Sequence, residues 1–401
     1  MLPPSASLHS AVTTANALRM STTLLQRSAA PAMSSFMRRQ FSAEAKAIVF
    51  ANYGKPLDAL QLHTFPLPDL SDDTILVKFL ASPINPADVN QVEGVYPSKP
   101  PFLTTALDST IPLAIGGNEG VVEILETGKE VTGFKPGDRA TMRHTLFGTW
   151  RTHAIALEKD LTKIPYPSNE ISALQAATAS VNPTTAYNML TEFVKLSPGD
   201  WFIQNGSNSG VGRAAIQLGR LWGLKSINVV RNRPDIDVLK DDLYSLGATK
   251  VVTEEELADK GFRKTIKEWI GKSPLKLALN CTGGDSTTNV ARQLTEGGHL
   301  VTYGGMARKP VTMPVSLFIF KDINLHGYWL TRWSDSHPNE KEAIVNEIFE
   351  LIKTGELKDV PVDEWVWTKD MTDVERLETF KAGVAAYING AQGRKQVLVH
   401  K

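Results

Sequence analysis

The chain of 401 residues contains one cysteine, Cys281. An internal disulfide is therefore impossible, and a zinc site built on several thiolates is excluded. No apolar run approaches the roughly 20 residues that a membrane span requires, so no span is expected. Residues 1–43 lack acids altogether; the first is Glu44. Those residues carry Arg19, Arg27, Arg38 and Arg39 together with eight serines. Such an arginine-rich, serine-rich, acid-poor stretch has the composition of an organelle transit peptide. Arg39-Gln40-Phe41-Ser42 is similar to a matrix-processing site. The expectation is a presequence over 1–43 and delivery to the mitochondrial matrix; the plainer alternative is a loose, unprocessed N-terminus. With the four arginines set aside, 39 basic residues face 43 acids. That mild acidity, without a basic patch interleaved with aromatics, argues against a nucleic-acid partner.

What is present is ordinary globular composition, 42% hydrophobic and 21% charged, on a chain long enough for two cores. From Lys46, short apolar runs alternate with turn signals: AIVFANYG, TILVKFLA, GVVEILETG and HAIAL, punctuated by Pro66, Pro68, Pro83, Pro86, Gly94, Pro97 and Gly137. This pattern predicts a mostly β domain of irregular strands. Near residue 170 the period lengthens to that of helices, broken at Asn182-Pro183, and a βαβ alternation follows. WFIQN, INVVR, TKVV, LKLALNC, GHLVTYG and INLHGYW are predicted strands. Between the first two, Val211, Ala215, Leu218 and Trp222 share a helical face closed by Gly223; after the second, Ile236, Leu239, Leu243 and Leu246 do so before Gly247. Near-continuous apolar strands separated by helices specify a doubly wound parallel sheet. Two more helices, about 338–354 and 371–387, lead to KQVLVH, a lone terminal strand expected to return to the β domain.

The loop QNGSNSGVG, 204–212, ends a strand and opens a helix, where a dinucleotide fold holds its pyrophosphate on backbone N–H groups and the helix dipole. Two of the three expected glycines are Ser207 and Ser209; small serines permit close approach, and their hydroxyls can donate to phosphate. Asn208, Ser209, Gly210 and Val211 form the expected cradle, the alternative being a βα turn without ligand. The next strand ends in VVRNRPD. An acid about 20 residues past the glycines selects NAD(H) through the ribose 2′-hydroxyl. Here Arg231, Asn232 and Arg233 offer donors and positive charge to a 2′-phosphate, so NADPH is the expected cofactor.

These features resemble the medium-chain dehydrogenase/reductase superfamily through GKEVTGFKPGDRA, SNSGVGRAAIQLGRLWG and GGHLVTYGGM. More narrowly, SPINPADVNQVEGVYPSKP, GGNEGVV, NPTTAYNML, RNRPD, TYGGM and GYWLTRW resemble the mitochondrial trans-2-enoyl-thioester reductases over nearly all the chain after the presequence. The resemblance implies an α/β fold. A discontinuous GroES-like, mostly β catalytic domain would span 44–180 and 330–401, and an NADPH-binding Rossmann doubly wound domain 181–329. In the zinc branch of the superfamily a cysteine and a histidine stand where this chain has Asn85 and Asn118, so no metal is expected.

The implied chemistry is conjugate reduction of an enoyl thioester on CoA or acyl carrier protein. Hydride goes to the β-carbon and a proton to the α-carbon. The resemblance places the proton donor at Tyr96 in GVYPS; read without it, Tyr96 is a ring packed between prolines. It also implies cofactor contacts at Asn182 (otherwise a helix N-cap), Tyr303, Gly304, Gly305 and Met306 beside the ribose, and Tyr328, Trp329 and Leu330 beside the nicotinamide (otherwise aromatic core). Lys395 would lie near the adenosine phosphates (otherwise a surface charge). Glu119 reads as a structural carboxylate and Cys281 as inert core. Lys99, Arg308 and Arg332 are candidates for a basic mouth that meets an acidic carrier. The resemblance further implies a homodimer joined through sheet edges, with PVSLFIFKDINLHGYW as a β-rich candidate. Two rivals share most of these features: a zinc-free NADPH–quinone oxidoreductase, and a nucleotide-binding relative without catalysis.

Overall fold

In a computed structural model, residues 44–390 and 393–401 are described. The presequence expected over 1–43 lies outside them. A six-stranded parallel sheet has the spatial order Lys250–Thr253, Lys225–Val230, Trp201–Gln204, Leu275–Asn280, His299–Thr302, Asn324–Gly327. Its central strands are mostly buried because helices cover both faces: Trp201–Gln204 is buried at all four positions. The strand order reverses beside Trp201–Gln204, so the carboxyl ends of that strand and of Leu275–Asn280 flank a topological switch point, where open α/β sheets bind ligands.

The helix Gly210–Leu221 starts where Ser209, in extended conformation, accepts a bond from Gly212 N at 3.2 Å. It buries Val211, Ala214, Ala215 and Leu218 and gives way to Gly223, whose φ of +73° only glycine adopts readily. Helix Ile236–Ser245 likewise buries Leu239 and Leu243 and ends before Gly247 at φ +103°.

The remaining strands form two further sheets. A three-stranded sheet joins Gln61–Pro66, Glu44–Phe50 and Ala114–Ile115. A seven-stranded sheet is organised around Thr74–Pro83, which pairs with Val121–Thr127, His153–Leu157 and Lys395–His400. The terminal strand thus returns to the β region, but it is not alone. Val362–Trp367 runs parallel beside it, connected through the helix Asp373–Ile388. That strand escapes sequence reading because VDEWVW is half-buried at most positions and shows no clean alternation.

A second correction concerns PVSLFIFKDINLHGYW. Its first half is the helix Val315–Lys321, not a strand. Only Leu317 of that helix is buried, while Val315, Ile319 and Phe320 are exposed. Pro314 fits the helix start, and Lys321 Nζ closes a neighbouring turn by donating to Arg292 O and Leu294 O. Asn324–Gly327 is the edge strand of the parallel sheet.

Candidate active site

Around the phosphate loop, a buried polar network fixes three strand ends. Asn205 Nδ2 donates to Asn280 Oδ1 at 2.8 Å, Cys281 N donates to Asn205 Oδ1 at 2.9 Å, and Asn280 Nδ2 donates to Thr302 Oγ1 at 3.1 Å. The loops that follow those strands therefore start from a rigid base. Gly206 turns with φ +58°, directly above the Cys281 thiol, and a side chain there would collide with that sulfur. A Cβ on Gly212 would lie 2.6 Å from Ser207 O, so only glycine lets the helix pack this closely on its loop. A Cβ on Gly210 would strike the Asn182 amide. Asn182 is the first residue of helix Asn182–Thr191 and makes no cap bond; the N-cap is Val181, so the capping alternative does not hold.

The two serines divide their labour in a way the sequence does not show. Ser207 is fully buried and its hydroxyl donates to Gln204 O and Val229 O, each at 3.1 Å. It closes the turn, its hydroxyl engaged by backbone carbonyls. Ser209 caps the helix as an acceptor, and its hydroxyl also faces the Cys281 thiol and the Tyr303 hydroxyl. The N–H groups of Gly210 and Val211 lie in the first helical turn, where no intrahelical acceptor exists. This cradle fits a dinucleotide pyrophosphate. Beside it, at the end of Lys225–Val230, Arg231 and Asn232 are exposed, and Arg233 Nε lies 3.1 Å from Asp235 Oδ1.

Tyr96 is delivered by helix Pro86–Val92. Pro86 begins that helix, and the Asn85 N–H donates to Asp88 Oδ2 at 2.7 Å. After Val92, Gly94 turns at φ +77° against Tyr53, and the N–H groups of Val95 and Tyr96 donate to Asn90 O at 3.0 and 3.2 Å. The Tyr96 hydroxyl then accepts a bond from Trp329 Nε1 at 2.8 Å, their rings edge to face at 6.0 Å. Burial raises the Tyr96 phenol above the usual value, the Trp329 bond partly offsets this, and the Asp88 charge adds to the rise.

The segment Tyr328 to Leu330 splits by role. Tyr328 is core: its hydroxyl accepts from Asn188 Nδ2 at 2.7 Å and burial raises its phenol strongly. Leu330 packs against the same cluster, and Trp329 alone of the three meets Tyr96. In the 303–306 loop, Met306 N and Ala307 N donate to Cys281 O and Thr282 O, which holds Gly304 and Gly305 against the strand end. Burial raises both the Tyr303 phenol and the Cys281 thiol, consistent with an inert cysteine.

Asn85 and Asn118 do stand together, but their donor set does not fit zinc. Asn85 Nδ2 donates to Glu119 Oε2 at 2.9 Å, and its Oδ1 accepts from the ammonium of Lys395. Glu119 Oε1 in turn accepts from Val181 N at 2.9 Å and Ser180 Oγ at 3.2 Å, which bears out a structural role. A buried ammonium already sits among these carboxylates. Among the described residues no group of three His, Cys, Asp or Glu could hold a metal ion. Lys395 is only 9% exposed and is not a surface charge. One of its three N–H donors is used by Asn85, and its segment reaches the cradle, since a Cβ on Gly393 would lie 2.9 Å from Asn208 Nδ2. At the proposed mouth, Arg308 is held bidentately by Glu93 at 3.0 and 3.1 Å, and Lys99 Nζ lies 4.8 Å from the centre of the Tyr53 ring.

Residues 71–166 match the alcohol dehydrogenase GroES-like domain and residues 210–348 the zinc-binding dehydrogenase model. The mitochondrial enoyl-acyl-carrier-protein reductase of Yarrowia lipolytica is 50% identical over 324 residues, covering 81% of this chain and 84% of its own. The chain belongs to that reductase family. A solved complex of the enoyl thioester reductase Etr1p with NADP and crotonyl-CoA superposes with a TM-score of 0.84 at 41% identity, over 89% of this chain and 99% of that one. The solved mitochondrial Etr1p/Etr2p heterodimer from Candida tropicalis gives the same values. Near Tyr96, Asp88 and Gln91 accept buried bonds from Asn118 Nδ2, a contact that sequence reading missed. Only the Asn85–Asp88 spacing, which is that of a capping box, hinted at one of them.

Proposed function

We propose that the chain is a mitochondrial NADPH-dependent reductase of trans-2-enoyl thioesters. The observation that carries this reading is the bond from Trp329 Nε1 to the Tyr96 hydroxyl. An indole N–H only donates, so the phenol oxygen accepts and its own proton is left for another acceptor. Bound NADPH would supply the hydride for the β-carbon. The N–H groups of Gly210 and Val211, with Asn208 and Ser209, would hold its pyrophosphate, and Arg231, Asn232 and Arg233 its 2′-phosphate. Tyr303 to Met306 would lie along the ribose, and Asn182 and Trp329 along the nicotinamide. Tyr96 meets the negative charge that develops on the thioester oxygen and gives its proton to the α-carbon. Burial keeps that phenol protonated at neutral pH, and Trp329 stabilises the phenolate once the proton has left.

The test is NADPH consumption with crotonyl thioesters of CoA and of acyl carrier protein, set beside a benzoquinone. Rapid turnover of the thioesters and little of the quinone is expected. Tight NADPH binding with no thioester turnover would overturn the reading in favour of a non-catalytic relative, and quinone preference would point to the oxidoreductase rival. Two copies of the chain are proposed to pair through the exposed Val315, Ile319 and Phe320 beside the edge strand Asn324–Gly327. A monomer in sedimentation at micromolar concentration would refute that pairing.

A further inference from the structure

Between Tyr96 and the β region runs a line of buried polar side chains that the hydride chemistry does not use. Asp88, Gln91 and Asn118 are 1%, 3% and 8% exposed. Asn118 Oδ1 accepts from Leu146 N at 2.8 Å. A backbone N–H can only donate, so the Asn118 carbonyl must face Leu146 and its NH2 must face the other way. There the NH2 donates to Asp88 Oδ1 at 2.5 Å and to Gln91 Oε1 at 2.7 Å. With its oxygen engaged, Gln91 has only its NH2 left to turn outward, and Nε2 donates to Ser98 O at 3.0 Å. Ser98 lies two residues beyond Tyr96. On the near side, the N–H groups of Gly94, Val95 and Tyr96 are held by Gln91 O and Asn90 O. The Tyr96 backbone is thus bracketed, and the polarity of the far bracket is set by Leu146, more than twenty-five residues from Asn118 in sequence.

We propose that Gln91, oriented by Asn118, is a positioning residue for enoyl reduction: it fixes the Gly94–Ser98 loop so that the Tyr96 hydroxyl meets its acceptor. This rests on the reading of Tyr96 as proton donor. The two side chains on the Gln91 line act through geometry alone, since neither reaches the Tyr96 hydroxyl, whose bond comes from Trp329. Misplacement of a reacting group by about 1 Å can cost up to about a hundredfold in rate, so loss of this bracket leaves substrate and nucleotide binding largely intact while turnover falls.

The test is a double-mutant cycle of Gln91→Met and Tyr96→Phe, with kcat, KM for the enoyl thioester and Kd for NADPH measured in each variant. Gln91→Met keeps the length of the side chain and removes both polar contacts. Alone it is expected to lower kcat about tenfold with Kd for NADPH unchanged, and in the Tyr96→Phe background to cost less than about twofold, because no hydroxyl remains to be positioned. Equal losses in both backgrounds, or an unaltered kcat in Gln91→Met while Tyr96→Phe is impaired, would overturn the positioning role and leave the donor reading standing. Full turnover in Tyr96→Phe would instead overturn the donor reading and the positioning role with it. Should Gln91→Met fail to bind NADPH and so prove misfolded, Gln91→Glu takes its place: it keeps the shape and the acceptor for Asn118 but turns an oxygen toward Ser98 O. The same selective loss of kcat is expected, and wild-type kcat in that variant would overturn the proposal.

Discussion

Residues 204–212 shape the proposed phosphate cradle from consecutive backbone. A strand end, a turn at Gly206, a capping serine and the first N–H groups of one helix lie within nine residues, and the Ser207 side chain serves the fold. The surroundings of Tyr96 are assembled differently. Its backbone is bracketed by residues 90, 91 and 98, its bracket is oriented from 118 and 146, and its hydroxyl is met by Trp329, 233 residues away in sequence. One region uses groups that every residue has; the other uses particular side chains at particular places. A backbone site tolerates unusual residues as long as they are small, which is why serines can replace glycines in it. A side-chain site tolerates almost none.

The comparison breaks most sharply at Tyr96. Tyr96→Phe keeps the ring against Trp329 and removes the proton, so kcat for enoyl reduction should fall at least about tenfold while Kd for NADPH holds; steady-state turnover and equilibrium binding check both. The pH profile carries a sign as well. The raised phenol remains an acid through neutral pH and loses its proton only above its ordinary value of 10, so kcat should stay level up to pH 10 and fall beyond it. An alkaline limb well below 10 would assign the ionisation elsewhere.

The cradle should fail in the opposite sense. Gly212→Val places atoms against the Ser207 backbone and displaces the helix start, so NADPH affinity should drop about tenfold or more, as read by titration of cofactor fluorescence. Replacing Arg231 and Arg233 together with Ala should weaken NADPH several-fold, about 1–2 kcal/mol, and leave NADH nearly untouched; equal losses for the two cofactors would show that the arginines act on the fold instead. The smallest effect separates the two serines. Ser207→Ala should cost about 1 kcal/mol in denaturant unfolding, since Gln204 O and Val229 O lose a donor, with no change in NADPH affinity. A drop in affinity at unchanged stability would return Ser207 to the phosphate.

The contrast also explains what could be read early. The parallel sheet follows from the alternation of apolar strands and helices, and the cradle from its place after WFIQN, because both are local in sequence. Val362–Trp367 was hidden by its half-buried pattern, and Val315–Lys321 was misread because β-branched and aromatic residues on an exposed helix mimic a strand. The sequence does not tell the two serines apart, because a hydroxyl's partner is a matter of geometry. The burial of the Lys395 ammonium against Asn85 is likewise invisible in the sequence, where a lysine reads by default as a surface charge.

By itself the sequence determined that a small-residue loop joins an apolar strand to a helix and that the next strand ends in a cation pair whose chemistry suits a 2′-phosphate. It also excluded thiolate zinc chemistry, which a single cysteine cannot support. Those conclusions depend on residue type and short spacing. Tertiary structure decided that Trp329, rather than its neighbour Tyr328, meets the Tyr96 hydroxyl. It also decided that Asn118 and Gln91 point as they do. Hydrogen-bond polarity passes through space from one buried group to the next, and no spacing along the chain records it.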